Sequence, residues 1–181
     1  TLSGVCVGYD SVTYEMRKYR NNIVFFARKC IINSQKVRDY VMLVQFRFKN
    51  FKSFRDEAVL DLSAAHMTEF SERVVSIAGE RLLRIAAIYG ANASGKSNVY
   101  QAFYYMYVYV ANSFMYGDEE EQFTWHKPMS FMLDSTSASE ESLFEVYFTL
   151  PGDVMETMYQ YGFCINHEGV TEEWLNTKKK I

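Results

Sequence analysis

The chain has 181 residues, 49% of them hydrophobic and 23% charged, which suits one ordinary domain with a substantial core. The net charge of −3 divides unevenly, with 7 basic against 3 acidic residues up to Val41 and 12 against 19 from Met42 onward. The larger part therefore lacks the basic footprint of a nucleic-acid binder, and charge gives no support to DNA or RNA as a ligand.

Three scattered cysteines (Cys6, Cys30, Cys164) and three scattered histidines (His66, His126, His167) have neither disulfide-framework nor zinc-ligand spacing, and point to a reducing, cytoplasmic setting. The most apolar early stretch, Ile23 to Ala27, is too short to span a bilayer and lacks the parts of a secretion signal. No membrane partner is expected. The aromatic share of 17%, from 14 Tyr, 14 Phe and 2 Trp, predicts a bulky core and aromatic surface that another domain covers.

Residues 1–41 show neither helical nor strand periodicity and form an unassigned N-terminal extension. Met42 is either the natural start, with read-through sequence before it, or the first residue after a genuine arm. From Met42 on, Val44, Phe46 and Phe48 alternate with polar residues as in a half-buried strand. Asn50 to Glu57 makes a polar reversal, and Ala58, Leu60 and Leu62 alternate in a second strand, so an antiparallel hairpin is predicted. Leu82 to Tyr89 is a near-continuous apolar run, the pattern of a central strand covered on both faces.

Asn98 to Phe114 contains no Gly or Pro and reads as a helix, with Val99, Ala102, Phe103, Met106 and Val110 on its core face. Gly117 to Glu121 reads as a hydrated acidic loop rather than a metal site. Phe144 to Leu150, Tyr159 to Ile165 and Val170 to Leu175 then predict a strand meander, broken first at Pro151-Gly152-Asp153. The ending Lys178-Lys179-Lys180-Ile181 brings no closing element.

Between the apolar run and the helix, Gly90-Ala91-Asn92-Ala93-Ser94-Gly95-Lys96-Ser97 meets G-x-x-x-x-G-K-[ST] at every fixed position. A random chain of this length does so on the order of once in 200 at average residue frequencies. Glycines let the backbone curl so that successive N–H groups face a phosphate chain. The start of the next helix adds unpaired N–H groups and a positive dipole end. Lys96 would neutralise the β- and γ-phosphates and is the candidate catalytic residue. Ser97 would ligate Mg²⁺, a hard ion that prefers oxygen. Residues Gly90 to Ser97, with Asn98 after them, are the expected binding site for ATP and Mg²⁺.

Met42 to Phe54, the loop with Asn at its third position followed by Asn98, and the later runs Leu143 to Phe148, Tyr161-Gly162-Phe163 and Glu172 to Leu175 together resemble the ABC-type ATPase heads of the SMC and RecF group. The resemblance is in particular to prokaryotic AAA-family ATP/GTP phosphatases linked to abortive phage infection. It covers Met42 to about Leu175, within the unit assigned to residues 42–181. It implies an α/β fold with α+β character, a P-loop NTPase built as the N-terminal lobe of an ABC-like head with an antiparallel β subdomain and a later β meander. It also implies ATP sandwiched between two heads paired head to head, and a nuclease or other effector domain downstream. Asn50, Lys52 and Ser53 would then lie near the nucleotide, unless they simply form a hairpin turn.

Such a head also needs a Ser-Gly-Gly-type signature and an apolar strand ending in Asp-Glu (Walker B). No apolar strand ending in such a pair follows Ser97: Glu140-Glu141 and Glu172-Glu173 lie before or inside alternating strands. The chain thus reads as the first lobe of an ATP-hydrolysing head in phage defence or DNA maintenance. The alternative is a noncatalytic nucleotide-binding remnant or a subunit lacking Walker B. A GTPase or small-molecule kinase fits less well, because antiparallel strands precede the loop and no Asn/Thr-Lys-x-Asp motif is present.

Overall fold

A computed structural model describes residues 41–65, 71–112, 127–150 and 157–178. Most of the N-terminal extension, the acidic loop, the Pro151-Gly152-Asp153 break and the last three residues lie outside these. The described elements are β1 (Met42–Lys49), β2 (Ala58–Asp61), β3 (Val74–Ile77), β4 (Glu80–Leu83), α1 (Lys96–Asn112), β5 (Ser142–Thr149), β6 (Met158–Ile165) and β7 (Val170–Lys178), with short 3₁₀ turns before β3 and β5. No described helix is long and apolar enough to cross a membrane.

Five strands form one sheet in the order β2-β1-β5-β6-β7, and β3 and β4 form a separate pair. Every pairing is antiparallel, so the α+β side of the expected fold prevails among the described residues. The β1–β2 hairpin and the β5–β6–β7 meander follow from the alternation in their sequences, which hands one face of each strand to the core.

That core is aromatic. Phe46, Phe48, Phe51, Phe144, Phe148 and Phe163 are all buried to 2% exposure or less, each contributing about 1.5–3 kcal/mol on transfer out of water. Helix α1 covers them with Ala102, Met106 and Val110 buried and Val99 and Phe103 packed beside them, which is the face predicted. The tyrosines on α1 divide in two. Tyr105 and Tyr109 stack against Phe144 and Phe163 at centroid distances of 4.9 and 5.0 Å, whereas Tyr100 and Tyr104 stack on each other on the outside, 63% and 48% exposed.

The opposite face of the sheet carries a polar row. Glu145, Gly162 and Trp174 are register partners across β5, β6 and β7. Glu145 is buried, and its Oε1 accepts hydrogen bonds from Trp174 Nε1 at 3.0 Å and Gln160 Nε2 at 2.7 Å. Arg47 lies 3.7 Å from its second oxygen. The indole lies over Gly162, where a Cβ would come within 2.5 Å of Trp174 Cζ2.

One expectation is corrected. The apolar run Leu82 to Tyr89 does not form a central strand: its first two residues end β4, and residues 85–90 belong to no strand. Ile85 is 83% and Tyr89 90% exposed. A strand apolar on both sides needs hydrogen-bonded neighbours and cover on both faces, and among the described residues no strand pairs with this run. β4 is instead tied by β3, through a two-residue turn at Ala78 (φ 53) and Gly79 (φ 82), and by the chain after β2 through an isolated bridge between Ser63 and Leu82. Positive φ at both central residues is the hairpin geometry that matches strand twist.

Candidate functional site

The Gly90–Ser97 loop leads into α1, which begins at Lys96 rather than at Asn98 as the sequence suggested. Its backbone turns at Ala91–Ser94, where Ser94 N–H donates to Ala91 O at 3.3 Å. It passes through left-handed conformations at Ala93 (φ 63) and Gly95 (φ 88). Left-handed residues set among right-handed ones give the concave, N–H-lined curl that suits an anion. Gly95 has a second reason to lack a side chain, because a Cβ there would stand 3.0 Å from Ser53 Oγ and 3.1 Å from the Phe54 ring. A Cβ on Gly90 would press to 2.8 Å from Ser94 Oγ.

Lys96 folds back across the loop. Its ammonium donates to Gly90 O at 2.8 Å and Ala91 O at 2.5 Å, so the cation already sits over the bend. Ser97 is exposed in the first turn of α1, and Ala91, Asn92, Ala93 and Ser94 are exposed as well. Helix hydrogen bonding starts with Asn98 N–H and Val99 N–H, both to Gly95 O, at 2.8 and 3.2 Å. The N–H groups before them lack helical partners, as at any helix start.

The β1–β2 turn reaches this loop. Phe51 and Phe54 close the turn through reciprocal backbone bonds of 2.8 and 2.9 Å, which presents Lys52 and Ser53 at its tip. Ser53 Oγ accepts from Asn98 Nδ2 at 2.7 Å, and Lys52 Nζ donates to Gln101 Oε1 at 2.6 Å. The structure thus brings Lys52 and Ser53 against the loop and the first turns of α1. Asn50 is different, because its side chain turns to the segment 131–141 rather than to the loop. Its side chain is fully buried, donates to Ser137 O at 2.8 Å and Glu140 O at 3.0 Å, and accepts from Phe131 N–H at 2.9 Å. It is a tie between the hairpin turn and the segment 131–141.

That segment forms one wall of a shallow, open groove lined by Ser53, Phe54, Arg55, Phe131, Leu133 and Asp134 among others. Asp134 shapes the wall. It accepts from the Thr136 hydroxyl and N–H and from Ser137, and pairs with Arg55 at 3.1 Å. Hydrogen bonds from Thr136, side chain then backbone, hold its carboxyl well below the usual range, at about 2. A depressed folded-state pKa contributes stability above the unfolded value, and that contribution is lost as pH falls through the folded one. The turn at Asp134–Ser137 should therefore loosen between about pH 4 and pH 2 and not at neutral pH. A carboxyl-carbon NMR titration of Asp134 with a midpoint at an ordinary value near 4 would contradict this.

Residues 85–181 match a family model described as "AAA domain, putative AbiEii toxin, Type IV TA system". The match covers more than half of the chain, including the whole Gly90–Ser97 loop, α1 and the meander. The chain belongs to this AAA-domain family. No curated protein matches the chain. An AAA domain is a P-loop NTPase module, so nucleotide binding is its family-level activity. In this AAA domain the loop, Lys96 and Asn98 were legible from a contiguous motif. Gln101 and Asn50 were not, because their partners lie 49 and 81–90 residues away in sequence.

Proposed function

We propose that this AAA domain binds Mg·ATP through Gly90–Ser97, as the first lobe of an ABC-like, ATP-hydrolysing head of the abortive-infection type. One observation carries the reading: a glycine-bounded loop with left-handed turns at Ala93 and Gly95 runs directly into a helix, with the Lys96 ammonium folded over its carbonyls. A polyphosphate would take over that ammonium and meet the unpaired N–H groups of the helix start. Among the described residues no three His, Cys, Asp or Glu side chains cluster to hold a metal. Mg²⁺ would come with the nucleotide, and Ser97 would give it a protein oxygen. Pairing of two such heads over the nucleotide, and an effector activity driven by it, belong to the same proposal.

A second reading is nucleotide binding without turnover, since turnover needs, besides the loop and Lys96, a group that positions water for phosphoryl transfer. Thermal melting with and without Mg·ATP tests the shared claim. At a hundredfold excess over the dissociation constant, binding stabilises by about 2.7 kcal/mol, a shift of roughly 5–10 °C for a domain of this size. Lys96→Ala should abolish that shift, and an undiminished shift would refute the site. Phosphate release measured on the same sample separates turnover from binding alone.

A further inference from the structure

Two side chains on the first turns of α1, three residues apart, clasp two adjacent residues of the β1–β2 turn. Asn98 Nδ2 meets Ser53 Oγ at 2.7 Å, and Gln101 Oε1 meets Lys52 Nζ at 2.6 Å. The polarity of the first contact matters. An amide nitrogen can only donate, so Asn98 uses the Ser53 oxygen as an acceptor and leaves its hydroxyl hydrogen to donate elsewhere. That hydroxyl is exposed, and its oxygen stands 3.0 Å from the Cβ position of Gly95, on the rim of the phosphate loop.

The second contact repeats the arrangement. Gln101 Oε1 is a neutral acceptor and occupies one of three ammonium hydrogens. The ion pairs among the described residues do not include Lys52. Two donors beside the loop are thus oriented by groups that do not quench them. An oxyanion is the complement to such a pair.

We propose that Asn98 is a positioning residue for nucleotide binding: it fixes the Ser53 hydroxyl as a donor to a phosphate oxygen, and Gln101 holds the Lys52 ammonium in the same way. This rests on the assignment of Gly90–Ser97 as the phosphate loop. Asn98 would then act through Ser53 and touch no ligand atom itself.

Titration of the full chain with a fluorescent ATP analogue and Mg²⁺ tests it. Asn98→Ala and Ser53→Ala should each weaken binding about tenfold, and the double variant by about the same tenfold, because one contact to the phosphate is lost in all three. Ser53→Thr, which keeps a hydroxyl, should rescue most of what Ser53→Ala loses. The melting temperature of the nucleotide-free protein should not follow the affinity. Losses that multiply in the double variant, or a fall in nucleotide-free melting with affinity intact, would overturn the positioning role. Unimpaired binding by Lys96→Ala would instead strike the phosphate-loop assignment itself. Loss in Lys96→Ala with full affinity in Asn98→Ala would remove only the role given to Asn98.

Discussion

Asn50→Ala should destabilise the protein by about 3–5 kcal/mol, read as a lower urea midpoint with an unchanged denaturant slope. The side chain is fully buried and serves Phe131 N–H, Ser137 O and Glu140 O at once. Truncation removes three hydrogen bonds at once, one of them buried and two part-buried, at about 0.5–1.5 kcal/mol each and more where a group is left without a partner. Asn50 also sits at φ 52, where asparagine is tolerated and alanine adds about 1 kcal/mol of strain. Asn50→Gly removes the strain but not the lost bonds, so it should be milder than alanine by about that 1 kcal/mol. Equal stability of Asn50→Ala and wild type would show that the segment 131–141 docks without this tie.

Gly162→Ala should cost about 2–4 kcal/mol although it adds a single methyl. The new carbon would stand 2.5 Å from Trp174 Cζ2, 2.7 Å from Cε2 and 2.9 Å from Phe144 O. The indole has to lift, and its Nε1–H then leaves the buried Glu145 carboxylate, which it now meets at 3.0 Å. The main-chain oxygen of Phe144 cannot swing aside as a side chain could. Trp174 fluorescence should shift in the variant. In a Trp174→Ala background the same glycine change should cost markedly less, because the two closest contacts are gone. An additive cycle would place the strain elsewhere.

Much of the fold was legible because β1, β5 and β6 turn apolar residues to the core at every second position, and that period-2 alternation shows in single residues such as Phe46 and Phe48 or Tyr161 and Phe163. The helix was legible for the same reason, through Ala102, Met106 and Val110. What failed was the apolar run before the loop. Its composition suits a strand, yet composition names no partner, and strand formation is decided by partners. β3 was invisible because Val74-Val75-Ser76-Ile77 shows no strict alternation of apolar and polar residues.

The candidate site shows the same division. The Gly90–Ser97 motif lies within eight consecutive residues, and backbone curl, cation and helix start are all local properties. The approach of Lys52 and Ser53 could be expected only from resemblance. The different fate of Asn50, two positions earlier, depends on a segment more than 80 residues downstream.

The two sides of the Gly90–Ser97 bend are held very unequally. Downstream, Tyr105 and Tyr109 moor α1 to Phe144 and Phe163 in the middle of the sheet; upstream, residues 85–89 run exposed past every described strand. A pull on the bend is therefore carried by a chain of stacked rings into a stiff plate on one side and meets slack on the other.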